Sequence, residues 1–328
     1  MMTPLRFEEL YDGEWTALER HLASLADRRT AVASFEDHLT GAHAAALYRR
    51  ACEHLALARA RSYPAYLVTR LERLTADAHQ RIYHRQEIGL ARIRQLLVAE
   101  FPAAVRAHRW YMAAAAATFL LPTLVVGVLV YRRPELILAV VSPETAASFE
   151  EMYSPAAESI GRARDASTDW TMFGYYIRNN IGVAFQCFAG GLFAGIGALF
   201  FLAYNGAFSG ALAGYLTERG LASTFYAFVA THSAFELTAI VIAGGAGLRL
   251  GHALLAPGRL RRRSSLVAAA RDTVVLLYGV TALLVVAAAV EAFWSSGRWL
   301  PAGVKYGVAA LCWAAVAGYL VLQGRRAG

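Results

Sequence analysis

Apolar and polar positions follow two different patterns along this chain, and the change falls near residue 110. Before it, apolar residues recur at helical spacing among charges. Phe7, Leu10, Tyr11, Trp15, Leu18, Leu22 and Leu25 lie mostly three and four apart, the signature of one amphipathic helix. A second helix is expected from about Phe35 to Arg61, with Leu39, Ala42, Ala46, Leu47, Ala51 and Leu55 inward. Pro64 stops or kinks it. The run from Ala65 to about Leu97 is a third candidate, carrying Leu67, Leu71, Leu74, His79, Ile82 and Tyr83. Residues 1–110 therefore read as a small helical bundle, and Arg106, His108 and Arg109 beside Trp110 and Tyr111 read as an interfacial anchor.

After residue 110 the apolar residues merge into runs of the length a bilayer requires. Residues 111–328 divide into spans of about 111–131, 181–199, 202–217, 221–248, 266–292 and 304–322, with a polar outer loop over 132–178. Pro122 is expected to kink the first span. The 181–217 block is long for one crossing and short for two. Its division into two spans, with a turn close to Asn205, competes with a re-entrant hairpin. Arg259, Arg261, Arg262 and Arg263, then Arg325 and Arg326, favour a cytoplasmic side at those points, whereas Arg132 and Arg133 oppose the arrangement. Six crossings with both termini cytoplasmic satisfy the rest. The expected fold class is all-α, a polytopic helical membrane protein with an amino-terminal cytoplasmic helical bundle, placed in the inner (plasma) membrane.

Composition agrees with that class. Hydrophobic residues make up 57% and charged residues 17%, against about 25% charged in a typical soluble protein. Basic residues outnumber acidic ones 32 to 24, but the excess gathers at membrane flanks, so it does not point to nucleic acid. No signal peptide is expected in the first hundred or so residues, which lack the apolar core one requires. Cys52, Cys187 and Cys312 are isolated and give neither a disulfide framework nor a thiolate metal site. His21, His38, His43, His54, His79, His84 and His108 are scattered without ligand spacing, so neither metal nor cofactor is expected.

The most informative run is Phe228–Gly247, which is long enough to cross a bilayer yet holds His232 and Glu236. Four residues apart, they share one face of a helix. A carboxylate in hydrocarbon faces the bundle interior, finds a partner or marks a functional path. With Asn205, Asn179 and Asn180 the pair forms a candidate intramembrane polar network. Gly190, Gly191, Gly206, Gly210, Gly214, Gly244, Gly245 and Gly247 are candidate close-packing positions, where small residues let helices approach in lipid. A hydrolase needs a nucleophile or metal beside the base. Ser233 points about 100° from His232 on a helix, and GxSxG, HExxH and GxxxxGK are all absent. An enzyme is not expected.

Asn179-Asn180-Ile181, Gly190-Gly191, Tyr204-Asn205-Gly206, His232-x-x-x-Glu236 and Ala243 to Leu248 together resemble the stage II sporulation protein M family. Where that family usually has Pro before the histidine, this chain has Thr231. The resemblance implies a non-enzymatic membrane scaffold that assembles or anchors cell-wall remodelling partners, since the namesake anchors peptidoglycan-degrading enzymes during engulfment. Expected partners are the lipid bilayer and other membrane or envelope proteins, or a homo-oligomer. The alternative is a solute or ion transporter or channel using a polar His–Glu path in the bundle core.

Overall fold

The computed structural model describes residues 2–26, 41–82, 90–157, 160–161 and 169–325, and among them every regular element is helical. The chain separates into two units, Met1–Gly89 and Leu90–Gly328.

The first unit is built on α1 (Pro4–Ala26), α2 (Gly41–Ala60) and α3 (Ala65–Ile82). The apolar stripe of α1 places Phe7, Trp15, Leu18 and Leu22 in one core with Leu47 and Ala51 of α2 and Leu67, Leu71, Leu74 and Ala78 of α3. Leu10, at the margin of the stripe, stays largely exposed. The third helix is described as far as Ile82, and residues 83–89 of the expected run to Leu97 lie outside the described residues. Phe35, Leu39, Tyr83 and His84 lie outside the described residues. Arg70 ties α3 to α1 through Asp12 at 2.6 Å and Glu19 at 3.1 Å, with its guanidinium over the Trp15 ring. In the same core, Trp15 Nε1 donates to His54 Nδ1 at 3.1 Å.

The second unit begins earlier than residue 111 because the chain from Leu90 already packs on membrane helices. After α4 (Leu90–Gln95) and a π-helical turn (Leu96–Glu100), α5 (Phe101–Ala107) buries Phe101. That ring fills the space left by the missing side chain of Gly279. Then come α6 (Arg109–Arg132), α7 (Pro143–Tyr153), α8 (Asp169–Ala189), α9 (Ile196–Glu218), α10 (Ala222–Leu255), α11 (Arg262–Val290) and α12 (Ala302–Leu322). Five of these, all but α7 and α8 in the stretch from α6 onward, are long and apolar enough to cross a membrane, α11 being extended by a π turn to Ser295.

Contacts between helix ends sort the unit into two faces. At the near face, where α6 starts, Tyr111 meets His252 of α10, Gly195 meets Gly251, Ala269 of α11 clusters with Leu250, and Arg106 donates to the Leu320 carbonyl of α12. At the far face, Val130, Tyr215 and Phe225 form one cluster, and Lys305 at the start of α12 reaches Ser295 at the end of α11. The helix α8 starts at the far face, where Met172 and Tyr176 pack on Ala288 and Ala292, and ends where Cys187 and Phe188 carbonyls press on Gly247. It thus traverses the bundle too, so among the described residues six helices run between the two faces. The expected 181–199 span is corrected to Asp169–Ala189, with Asp169, Arg178, Asn179 and Asn180 lowering its hydropathy. The outer loop is correspondingly shorter. Its α7 packs Ala146 and Tyr153 on the ends of α9 and α10, and Arg298 holds the Ser154 and Pro155 carbonyls.

The break inside the glycine-rich block falls at residues 190–195, not near Asn205. A 3-10 turn over Gly190–Leu192 is followed by Ala194 at φ 52° and Gly195 at φ 85°. This left-handed pair reverses the chain, and glycine adopts such a φ without the Cβ clash that other residues suffer. Asn205 is left in the middle of α9. The helix α6 runs unbroken through Pro122 and lies parallel to α9, with Gly206 against Phe119, Gly210 against Thr123 and Gly214 against Gly127. A Cβ at any of the three glycines would strike a backbone carbonyl of α6.

Two outcomes follow. Replacing Gly210 with Leu separates α6 from α9 and costs at least the upper end of the ~1–3 kcal/mol typical of overpacking. It should lower the thermal midpoint and the monodisperse fraction in detergent, whereas Gly182→Leu, with nothing within 4 Å of the added Cβ, should not. In the first unit, burial lowers the His54 pKa below 6.5; Glu14 and Glu53 oppose this and Arg50 adds to it. A depressed folded-state pKa means that the unfolded chain takes up the proton first. The stabilisation is therefore complete above pH 6.5 and declines as pH falls toward the folded-state value. Protection factors of α1–α3 amides in the full chain, referenced to the intrinsic exchange rate at each pH, should fall over that window, and less so in His54→Gln, which keeps an acceptor for Trp15 but does not titrate.

Candidate functional site

The far-face half of α10 carries the polar cluster. Because α10 is continuous through Thr231, where a proline would have removed a backbone donor, His232 and Glu236 stay one turn apart on a single stripe. Their closest atoms, Nε2 and Oε2, are 3.9 Å apart. The His232 ring is buried, edge-on to Phe228, and its Nδ1 meets Ser295 Oγ at 3.0 Å. Ser295 and Glu291 are the two ends of the π-helical turn that closes α11. Four residues apart, the two lie on one side of the helix, as His232 and Glu236 do on α10. Ligand atoms of His232, Glu236 and Glu291 all lie within 4.8 Å of one another.

One further charge completes the surroundings. Lys305, 1% exposed, donates from Nζ to the Ser295 carbonyl at 2.7 Å, and its own carbonyl accepts from Thr231 Oγ1 at 3.4 Å. Burial of an ammonium is costly unless it is hydrogen-bonded. Toward the near face the polarity ends: Ala239, Ile242, Ala243 and Ala246 of α10 pack with Leu276, Val280, Leu284 and Phe101 in an apolar core. Gly244 there receives Leu202, Gly245 receives Met112, and Gly247 lies against Gly191 and the Cys187 carbonyl.

The five polar residues expected to form one network separate into two places. Asn179 and Asn205 do not reach His232. They line a groove of about 630 Å³ between α8 and α9, with Tyr175, Arg178, Gln186 and Tyr204. Asn205 Nδ2 donates to the Phe201 carbonyl of its own helix at 2.7 Å. Asn180 faces inward, accepting from Asn179 at 3.0 Å, while its buried Nδ2 has no hydrogen-bond partner. The reason for the split is helical geometry. Successive residues point about 100° apart, so Asn179 and Asn180 occupy different faces of α8. Glu291, Ser295 and Lys305 join the cluster although no helical spacing links them to His232. Two signals pointed to them: Glu291 is a carboxylate inside an apolar run, and Lys305 is the single lysine among 32 basic residues.

Fold and site together define a multi-pass helical membrane protein with a buried histidine–carboxylate cluster on a glycine-packed bundle. The family model for "Stage II sporulation protein M" matches residues 115–296, more than half of the chain, and the chain belongs to that family. Residues 5–84 match a second model, described as a domain of unknown function (DUF8413). No curated protein and no solved structure matches.

Replacing Lys305 with Met leaves the Ser295 carbonyl without its donor. The expected cost is about 1–3 kcal/mol, the penalty for a buried unsatisfied polar group. It is read as a lower thermal midpoint of the full chain in detergent, with the exposed neighbour Tyr306→Phe as the unaffected control.

Proposed function

We propose that the protein is a non-enzymatic scaffold of the plasma membrane, with both termini cytoplasmic, that holds a partner membrane protein against its α8–α9 groove. The observation that carries this reading is polar chemistry on an outward membrane face. Arg178, Asn179 and Gln186 are exposed on α8, and the groove they line runs a rise of about 16 Å from Tyr175 to Gln186. An arginine facing lipid near a helix centre costs about 2.5–3.5 kcal/mol on insertion scales, so such a surface favours a protein cover.

Charge narrows the partner. The groove lining holds a guanidinium and several amides but no carboxylate. A two-fold contact between copies of this chain would bring Arg178 toward its own counterpart, so a different chain with an acidic or amide-bearing membrane helix fits better. Arg259, Arg261, Arg262, Arg263 and Arg325, at the near face, favour placing that face in the cytoplasm. With the family resemblance, envelope-remodelling machinery is the kind of assembly so anchored. A transport path is less well supported, because the near-face half of the core below His232 and Glu236 is apolar.

The test is a photo-crosslinking residue placed at Gln186 in cells, with Phe185 as the lipid-facing comparison. A discrete adduct with one other membrane protein, lost when Arg178 and Asn179 are changed to Leu, is the expected result. Adducts with lipid alone, together with a solute flux in proteoliposomes that Glu236→Gln abolishes, would replace the scaffold with a transporter.

A further inference from the structure

We propose that His232, Glu236 and Glu291 form a binding site for a single divalent transition-metal ion, of which Zn²⁺ is the representative. The site is independent of the α8–α9 groove and of any partner there.

Charge is the first reason. Two carboxylates and an imidazole whose ligand atoms lie within 4.8 Å of one another are buried or nearly so, with the Glu236 side chain 21% exposed. Two carboxylates so close in a low-dielectric site do not both ionise without a cation between them. A divalent ion balances both at once, and the set of one nitrogen and two oxygens suits zinc and its borderline neighbours better than thiophilic ions. Spacing of the donors supports the same conclusion. His232 and Glu236 are consecutive turns of one stripe on α10, and Glu291 comes from the facing end of α11, so three donors converge from two rigid elements.

The second line is orientation. A metal-binding histidine ordinarily engages its other ring nitrogen in a hydrogen bond, which fixes the tautomer and aims the free nitrogen. Here Nδ1 is held by Ser295 Oγ at 3.0 Å, leaving Nε2 on the side of Glu236. Ser295 is itself fixed, being fully buried and having its carbonyl bound by Lys305 Nζ. The π turn that places Glu291 and Ser295 on the same side is a geometry found disproportionately at functional sites. Lys305 adds a positive charge nearby. Since its ammonium is directed to the Ser295 carbonyl, it orients the histidine's partner rather than occupying the site.

The experiment uses the full-length protein purified in detergent, stripped with EDTA, then equilibrated with Zn²⁺ and desalted. Metal content by mass spectrometry should return one Zn²⁺ per chain, with a rise in the thermal midpoint that excess Mg²⁺ does not reproduce. Glu236→Gln and Glu291→Gln should each lose the stoichiometric metal. Ser295→Ala, which removes only the orienting contact, should weaken the affinity about 10- to 100-fold. His79→Ala, in the amino-terminal unit, should retain it. Should either glutamine variant fail to fold, Co²⁺ titration of the wild type decides the matter. A saturable d–d absorption at one equivalent supports the site; its absence overturns it. Metal-free wild type after zinc equilibration, or zinc retained undiminished in both folded glutamine variants, also overturns it.

Discussion

Hydrocarbon offers no hydrogen-bond partners, so every polar group inside the bilayer must find one within the protein. In this bundle the constraint is met in two ways. Backbone groups are satisfied by helices that run nearly uninterrupted between the two faces, and side-chain hydroxyls return to carbonyls of their own helix, as Thr123 does to Phe119 and Thr238 to Ala234. The remaining polar side chains gather at defined places instead of being dispersed. His232, Ser295 and Lys305 are linked through one serine, which serves the histidine with its hydroxyl and the lysine with its carbonyl.

Close packing makes that gathering possible. In lipid there is little hydrophobic gain from bringing two helices together, so association depends on van der Waals contact and on how near the backbones can come. The parallel α6 and α9 meet along Gly206, Gly210 and Gly214, and α10 receives the turn after α8 at Gly247 and Gly251. The turn holds one side of α10, and Met112 of α6 against Gly245 holds another. With α10 held, α11 and α12 bring Glu291, Ser295 and Lys305 to His232. The near-face half is filled by small and branched apolar residues, the far-face half by the polar cluster, and the division falls between Glu236 and Ala239.

The groove between α8 and α9 meets the same constraint incompletely. Asn205 satisfies itself by bonding back to Phe201, and Asn179 bonds to Asn180, but Arg178 and Gln186 remain on the outer surface. A guanidinium presented toward lipid near a helix centre is costly. This exposed polar flank supports assembly with another chain more strongly than the buried cluster does.

Residue patterning by itself determined the class and the helical content, and it singled out His232 and Glu236. Those features depend on local quantities: run length against bilayer thickness, helical periodicity in α1 to α3, and a charge where charge is costly. Tertiary structure decided the rest. The break at Gly190–Gly195 rather than near Asn205 depends on which glycines meet α10, and an apolar run carries no record of that. The assignment of α8 as a traversing helix depends on its packing against α10 and α11, because Asp169, Arg178, Asn179 and Asn180 make it look like loop. Glu291, Ser295 and Lys305 join His232 across separations of dozens of residues, through a π turn that has no residue signature of its own. Periodicity is a property of neighbours along the chain, whereas a site is a property of neighbours in space.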